Sequence, residues 1–237
     1  MQSSAFVIAV FEFVLLLFSL SVHECAHAWM ASRLGDQTAR MQGRVTLNPM
    51  YHVDPIGTLL FPALMIFGPF IGFSAFGGML VGWAKPTPVI TRNFRKIVRD
   101  DNLTTLAGPA SNLLVALVAF AVLAVMTVMT PNGHDVVLGS FFAALNPSAD
   151  VIPQPVVVLC TLAILVNLSL CFFNLLPIPP LDGSRVARNM MPYNAVQFYD
   201  RIPIWASYLF MIFLGRAFIG ALLTPSLHLV IWGLEHV

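Results

Sequence analysis

Val22-His23-Glu24-Cys25-Ala26-His27-Ala28-Trp29 closes an apolar run that starts at Phe13. On a helix, residues four apart lie one turn apart on the same face. His23 and His27 can therefore turn a ring nitrogen each toward one metal ion, and Glu24 sits beside them, close enough to take a proton from a water activated there. Two histidines and a glutamate are costly in an apolar helix that crosses lipid, so a bare polar helix end is the weaker account of them.

The surrounding composition fixes the class. Of 237 residues, 58% are hydrophobic and 10% charged, against roughly a quarter charged in soluble domains. This is an all-α polytopic membrane protein. A net charge of +1 gives no case for nucleic acid. Cys25, Cys160 and Cys171 all lie in apolar stretches and read as small buried hydrophobes rather than a disulfide framework. No basic region precedes the first apolar run, which continues into His23, so it reads as a retained helix and not a signal peptide.

The chain reads as one domain, 1–237, with spans at about 5–32, 103–130, 153–176 and 202–224. Residues 33–56 are a polar connection in which Arg40 to Leu47 alternates enough to suggest a short interfacial strand, able to pair with an extended peptide. Residues 57–83 are apolar but broken by Gly57, Pro62, Gly68, Pro69, Gly72, Gly77, Gly78 and Gly82. The loops on either side are both basic. They reconcile if 57–83 re-enters and returns on one side, an additional span being the alternative. Residues 131–152 carry no Lys or Arg and read as an outer loop, and Pro225 opens a short tail after the last span. The charge pattern puts 33–56, 84–101 and 183–203 on the cytoplasmic side, which brings the His23/His27 end of the first span level with Asp182.

A catalytic zinc takes three protein ligands and leaves a position for water. The candidate third ligands on that side are Asp36, Asp54, Asp100, Asp101, Asp182 and Asp200. Asp182 stands apart because Pro177, Pro179 and Pro180 fix the turn before it. The same turn would suit any protein, so spacing alone leaves the choice open.

The pairing of His23-Glu24-Cys25-Ala26-His27 with Asn174-Leu175-Leu176-Pro177-Ile178-Pro179-Pro180-Leu181-Asp182-Gly183 resembles the site-2 proteases, intramembrane zinc metalloproteases. Gly108-Pro109-Ala110-Ser111-Asn112 looks like the Gly-Pro-x-x-Asn element of their middle span. The stretch from Asn48-Pro49 through His52-Val53-Asp54-Pro55, and then Gly82-Trp83-Ala84-Lys85-Pro86, is similar to a compact prokaryotic subgroup without PDZ or CBS domains. The likeness covers about residues 10 to 200. It implies a core of three helices plus a C-terminal helix. It implies one Zn2+ per chain on His23, His27 and Asp182, with Glu24 as the catalytic acid and base. The implied substrate is a transmembrane segment of a membrane-anchored protein, cut at a site toward the cytoplasmic face of the cell membrane.

Other polar residues carry two readings each. Asn174 and Asn112 would bind substrate, or cap a helix and bridge two helices respectively. His52 and Asp54 would support the site from the loop, or order a turn. The same histidines would also serve a zinc-binding membrane protein without proteolysis, or a scaffold for transmembrane helices, neither of which gives Glu24 a task.

Overall fold

The computed structural model describes residues 2–72, 84–146 and 153–237, with the side chains of 2–4, 212 and 216 excepted. Helix α1 (Gln2–Leu34) contains no Gly or Pro and runs for 33 residues, about 50 Å, which exceeds the hydrocarbon thickness of a bilayer. It stops at Gly35, whose φ of 121° is open only to glycine among common residues. One helical turn, α2 (Thr38–Met41), follows. Asp54 then caps a wide helical turn, Pro55–Leu60, which leads into α3 (Phe61–Phe67). Next come α4 (Ile97–Met129), α5 (Gly133–Leu145) and α6 (Pro155–Asn174). The chain closes with α7 (Asp182–Met190), α8 (Tyr193–Tyr199), α9 (Ile204–Phe210) and α10 (Arg216–Glu235).

Among the described residues four helices are long and apolar enough to cross a membrane: Ala5–Leu34, Ile97–Met129, Pro155–Asn174 and Ala217–Glu235. The chain is a multi-pass integral membrane protein. Helices α1, α4 and α6 pack as the central three. The end of α1, the start of α4 and the end of α6 lie together. The other half of the bundle is a dry core in which Ala116, Ala119 and Leu123 of α4 meet Val137 and Phe141 of α5, Val157 and Ile164 of α6, and Leu234 of α10.

Three features depart from the sequence reading. Among the described residues there is no strand at 40–47. The Thr38 N–H instead bonds Asp36 Oδ1 and starts a helical turn, Gly43 turns back at φ 71°, and the Arg44 N–H bonds the Ala39 carbonyl at 3.0 Å. Among the described residues no neighbouring strand competes for those backbone groups. The expected outer loop at 131–152 contains α5, a short apolar helix whose Val137 and Phe141 are fully buried. Asp135 in its first turn complements the helix dipole.

The last span runs further than 202–224: helix continues from Ile204 through a wide turn, Met211–Gly215, to Glu235, and its part long and apolar enough to cross a membrane is Ala217–Glu235. Pro225 sits inside it, where neighbouring groups tolerate a missing N–H. What carries the helix past that proline is its far end: Leu234 is fully buried, and Gly233 lies so close to Phe120 that a Cβ would sit 2.8 Å from the ring.

The apolar helical stretch Pro55–Ile71 is shorter than a span. Its far part, residues 73–83 with Gly77-Gly78 and Gly82-Trp83, lies outside the described residues. The two ends of the excursion meet, since the Lys85 N–H donates to the His52 carbonyl at 2.9 Å. The Arg44 guanidinium ties the same corner through the Tyr51 and Lys85 carbonyls.

Candidate metal and catalytic centre

His23 and His27 stand one turn apart on α1 with their Nε2 atoms 3.0 Å from each other. Asp182, the first residue of α7, brings Oδ2 to 3.0 Å from His23 Nε2 and 3.2 Å from His27 Nε2. All three side chains are largely shielded, and no other cluster of three metal-ligating groups occurs among the described residues.

The hydrogen bonds on the far side of each ring fix what faces the centre. His27 Nδ1 lies 2.7 Å from the Thr104 carbonyl, which can only accept, so that nitrogen carries the proton. His23 Nδ1 lies 2.6 Å from Asn112 Oδ1. The orientation of that amide is set in turn, because Asn112 Nδ2 donates to the Ser19 carbonyl at 3.3 Å and to Asn167 Oδ1 at 2.9 Å. Asn167 Nδ2 donates to the Ala163 carbonyl and to Ser19 Oγ. In neutral imidazoles with hydrogen on Nδ1, both Nε2 atoms present lone pairs. They face a carboxylate oxygen that is itself buried without a hydrogen-bond donor.

Three lone-pair atoms held this close repel one another until a cation lies among them. Zinc bonds of 2.0–2.1 Å place tetrahedral ligand atoms about 3.3 Å apart, close to the separations here. The donor set therefore fits zinc, with orientation of the rings already supplied by the surrounding hydrogen bonds.

Small residues make the close approach possible. A Cβ at Gly108 of α4 would stand 2.6 Å from His23 Nε2 and closer still to His27 Nε2, so only glycine fits behind the two rings. Gly183 does the same for the third ligand: a Cβ there would collide with the Leu175 carbonyl at the end of α6. Helix α7 is clamped to α4 by Arg185 on Asp101 Oδ1 and by Asn189 on Asp101 Oδ2 at 2.7 Å. Beside Asn189, Arg188 pairs with Asp200, and ahead of Asp182 the Pro177 carbonyl accepts from Tyr199 at 2.9 Å. These contacts hold Asp182 at the centre from both sides.

Glu24 is 9% exposed. Its Oε2 accepts from the Thr87 N–H at 3.0 Å and the Thr87 hydroxyl at 2.7 Å. Thr87 was not singled out in the sequence. Its only signal there is its place between Pro86 and Pro88, which keep the segment extended and leave its N–H free for a side chain. Asp36 anchors the same segment, accepting from the Ile90 N–H at 2.7 Å and Asn93 Nδ2 at 2.9 Å. Burial opposes ionisation of Asp36, but hydrogen bonds from Thr38, Ile90 and Asn93 outweigh it and hold the carboxyl below its ordinary pKa.

The remaining candidates are placed elsewhere or have other work. Asn112 is fully buried with its amide engaged by His23, Asn167 and Ser19, so of its two readings the structure has it bridging helices and orienting the His23 ring. Asn174 ends α6 and donates back to the Leu170 carbonyl at 3.0 Å, which agrees with the helix-end reading of the two it carried. The His52 ring bonds the Thr46 carbonyl at 2.8 Å, and Asp54 accepts from the Ile56 and Gly57 N–H groups. Both order the loop, the second of their two readings. Asp36, Asp54, Asp100, Asp101 and Asp200 each have such partners. Among the six candidate aspartates, Asp182 is the one that meets the histidines.

The model of "Peptidase family M50" matches residues 11–214. The chain is 37% identical over 179 residues to the "Putative zinc metalloprotease YwhC" of Bacillus subtilis, which covers 76% of this chain and 68% of that one. It is 31% identical over 167 residues to the "Putative zinc metalloprotease Rip2" of Mycolicibacterium smegmatis, and 30% identical to its namesake in Mycobacterium tuberculosis. Those two alignments cover 70% of this chain and 52% of the relatives, so the chain spans about half the length of each. No solved structure matches.

Proposed function

Since the chain belongs to peptidase family M50, we propose that it hydrolyses peptide bonds in or beside transmembrane helices of membrane-anchored proteins. The observation that carries this reading is the convergence of His23 Nε2, His27 Nε2 and Asp182 Oδ2, with Glu24 next to the first of them in sequence. One zinc ion per chain held there would supply Lewis acidity to a peptide carbonyl and lower the pKa of a water toward about 7.

The chain's own residues supply the rest. Glu24 takes a proton from the attacking water through the carboxylate that Thr87 holds in place. The water oxygen bonds to the carbonyl carbon, the C–N bond breaks, and Glu24 returns the proton to the leaving amine. Asn112 and the Thr104 carbonyl keep the imidazoles in the tautomer this requires. A substrate helix hides its carbonyls in hydrogen bonds, so it must unwind before Glu24 can act, and Gly, Pro or Asn near the cut lowers that cost. The meeting of His52 and Lys85 supports a segment 57–83 that leaves and returns on one side. The basic loops favour a site near the cytoplasmic face of the cell membrane.

The test is the full chain purified in detergent, its zinc measured, and then reconstituted with a model single-span substrate. About one zinc per chain, lost in Asp182→Ala, is expected from a three-ligand site. Glu24→Gln should keep the zinc and lose cleavage. Cleavage surviving in Glu24→Gln would refute the mechanism, and a zinc content unchanged by Asp182→Ala would refute the ligand set.

A further inference from the structure

The geometry points to a binding site for the phosphate of an anionic glycerophospholipid at the end of α1, between Arg33 and Arg40. A half-open pocket of about 340 Å³ is lined there by Trp29, Ser32, Arg33, Arg40, Gly43 and Val45. Both arginines are exposed, and neither has a carboxylate partner among the described residues. The planar guanidinium suits phosphate oxygens, which it can hold in pairs. Anionic groups are what the pocket lacks, and Val45 and Trp29 give it an apolar wall beside the charge.

The helix above the pocket leads lipid to it. Val7, Val14, Phe18 and Trp29 are each about half exposed. Val22 and Cys25 lie between Phe18 and Trp29 on the same face and are partly exposed. With a turn every 3.6 residues, these positions and Arg33 make one stripe along α1. That stripe lies opposite the face that carries His23 and His27. Helix α3 leaves it open, for it meets α1 through Phe6 and Phe13 against Phe67. Trp29, half exposed at the helix end, has the amphipathic character of residues at the headgroup level.

An apolar lane ending in two unpaired arginines matches an acyl chain beneath an acidic headgroup. Gly43, with φ 71°, turns the chain so that Arg40 and Val45 both face the pocket that Arg33 enters. The guanidinium of Arg33 lies 6.0 Å from the Trp29 ring, so charge and apolar wall are adjacent. The chemistry recognised is a phosphate diester. The lane commits it to a lipid of the bilayer rather than a soluble phosphate.

The test uses the full chain, stripped of lipid in detergent, titrated with phosphatidylglycerol or phosphatidylcholine of the same acyl chains and read by native mass spectrometry. Phosphatidylglycerol should bind wild type about tenfold tighter, given two unpaired cations at the site. Arg33→Gln/Arg40→Gln should lose that preference, and Arg40→Gln alone, at an exposed position, should lose part of it. Arg92→Gln/Arg95→Gln, on a neighbouring basic loop, should keep it. An equal loss in that second pair would mean general surface charge and overturn the site. Displacement of the lipid by glycerol phosphate at the lipid's own concentration would assign the pocket to a soluble phosphate and overturn the lipid. Zinc content should not change in any of these variants.

Discussion

Gly108→Ala puts the construction of the metal centre to a direct test. The added Cβ would stand 2.6 Å from both Nε2 and Cε1 of His23, and nearer still to His27 Nε2. Carbon and nitrogen rest in contact at about 3.5 Å, so the His23 ring must retreat by about 0.9 Å and the His27 ring by more. They have nowhere to go without loss, because His23 is tied at 2.6 Å to Asn112 and His27 at 2.7 Å to the Thr104 carbonyl. Metal sites tolerate about 0.2 Å of misplacement. The substitution should therefore weaken zinc affinity at least about 100-fold, or about 2.7 kcal/mol. A competition titration against a chelator of known affinity measures this on the detergent-purified chain. Gly139→Ala in α5 is the control, because a Cβ there meets nothing within 4 Å. It should leave zinc untouched and, if anything, stabilise the helix by about 0.5–1 kcal/mol. Zinc affinity in Gly108→Ala within about threefold of wild type, under half the free energy of a tenfold change, would refute the close packing of α4 behind the histidines.

Asn112→Ala removes the acceptor for His23 Nδ1 and should cost about 10–100-fold in zinc affinity, measured in the same titration. Thr87→Val keeps the N–H bond to Glu24 but removes the hydroxyl bond, so kcat on a model substrate should fall several-fold with KM and zinc content unchanged. Thr87→Ser should restore it, and a change confined to KM would count against Thr87 as a positioning residue. Asp36 has a folded-state pKa below its ordinary value. Its contribution to stability is present above the unfolded pKa of about 3.9 and is lost as pH falls through the folded one. Thermal melts of Asp36→Asn should be lower than wild type at neutral pH, with the gap closing as the pH drops below about 4; a gap independent of pH would refute the assignment.

The pairing of His23 and His27 was legible because i and i+4 on a helix face one way whatever surrounds them. The membrane class followed from composition, and the central spans followed from apolar length. Asp182 could be nominated by its proline-framed turn but not chosen, since its rivals differ from it only in where the fold puts them. Asp36, Asp54, Asp100, Asp101 and Asp200 are each satisfied by a local or cross-chain partner that no spacing announces.

Tertiary contacts also decided the departures. The 40–47 segment alternates like a strand but has no strand beside it among the described residues, and Asp36 offers its backbone a helical turn. Pro225 reads as a stop, yet the burial of Leu234 against the core carries α10 ten residues further. Asn112 looks like a substrate contact only until Ser19 and Asn167 occupy its amide. By itself the sequence determined which residue types could hold a metal and that the chain lies in a membrane, because periodicity and hydropathy act locally. Which carboxylate closes the site, which tautomer each imidazole adopts and what holds Glu24 depend on groups far apart in sequence, and only packing brings those together.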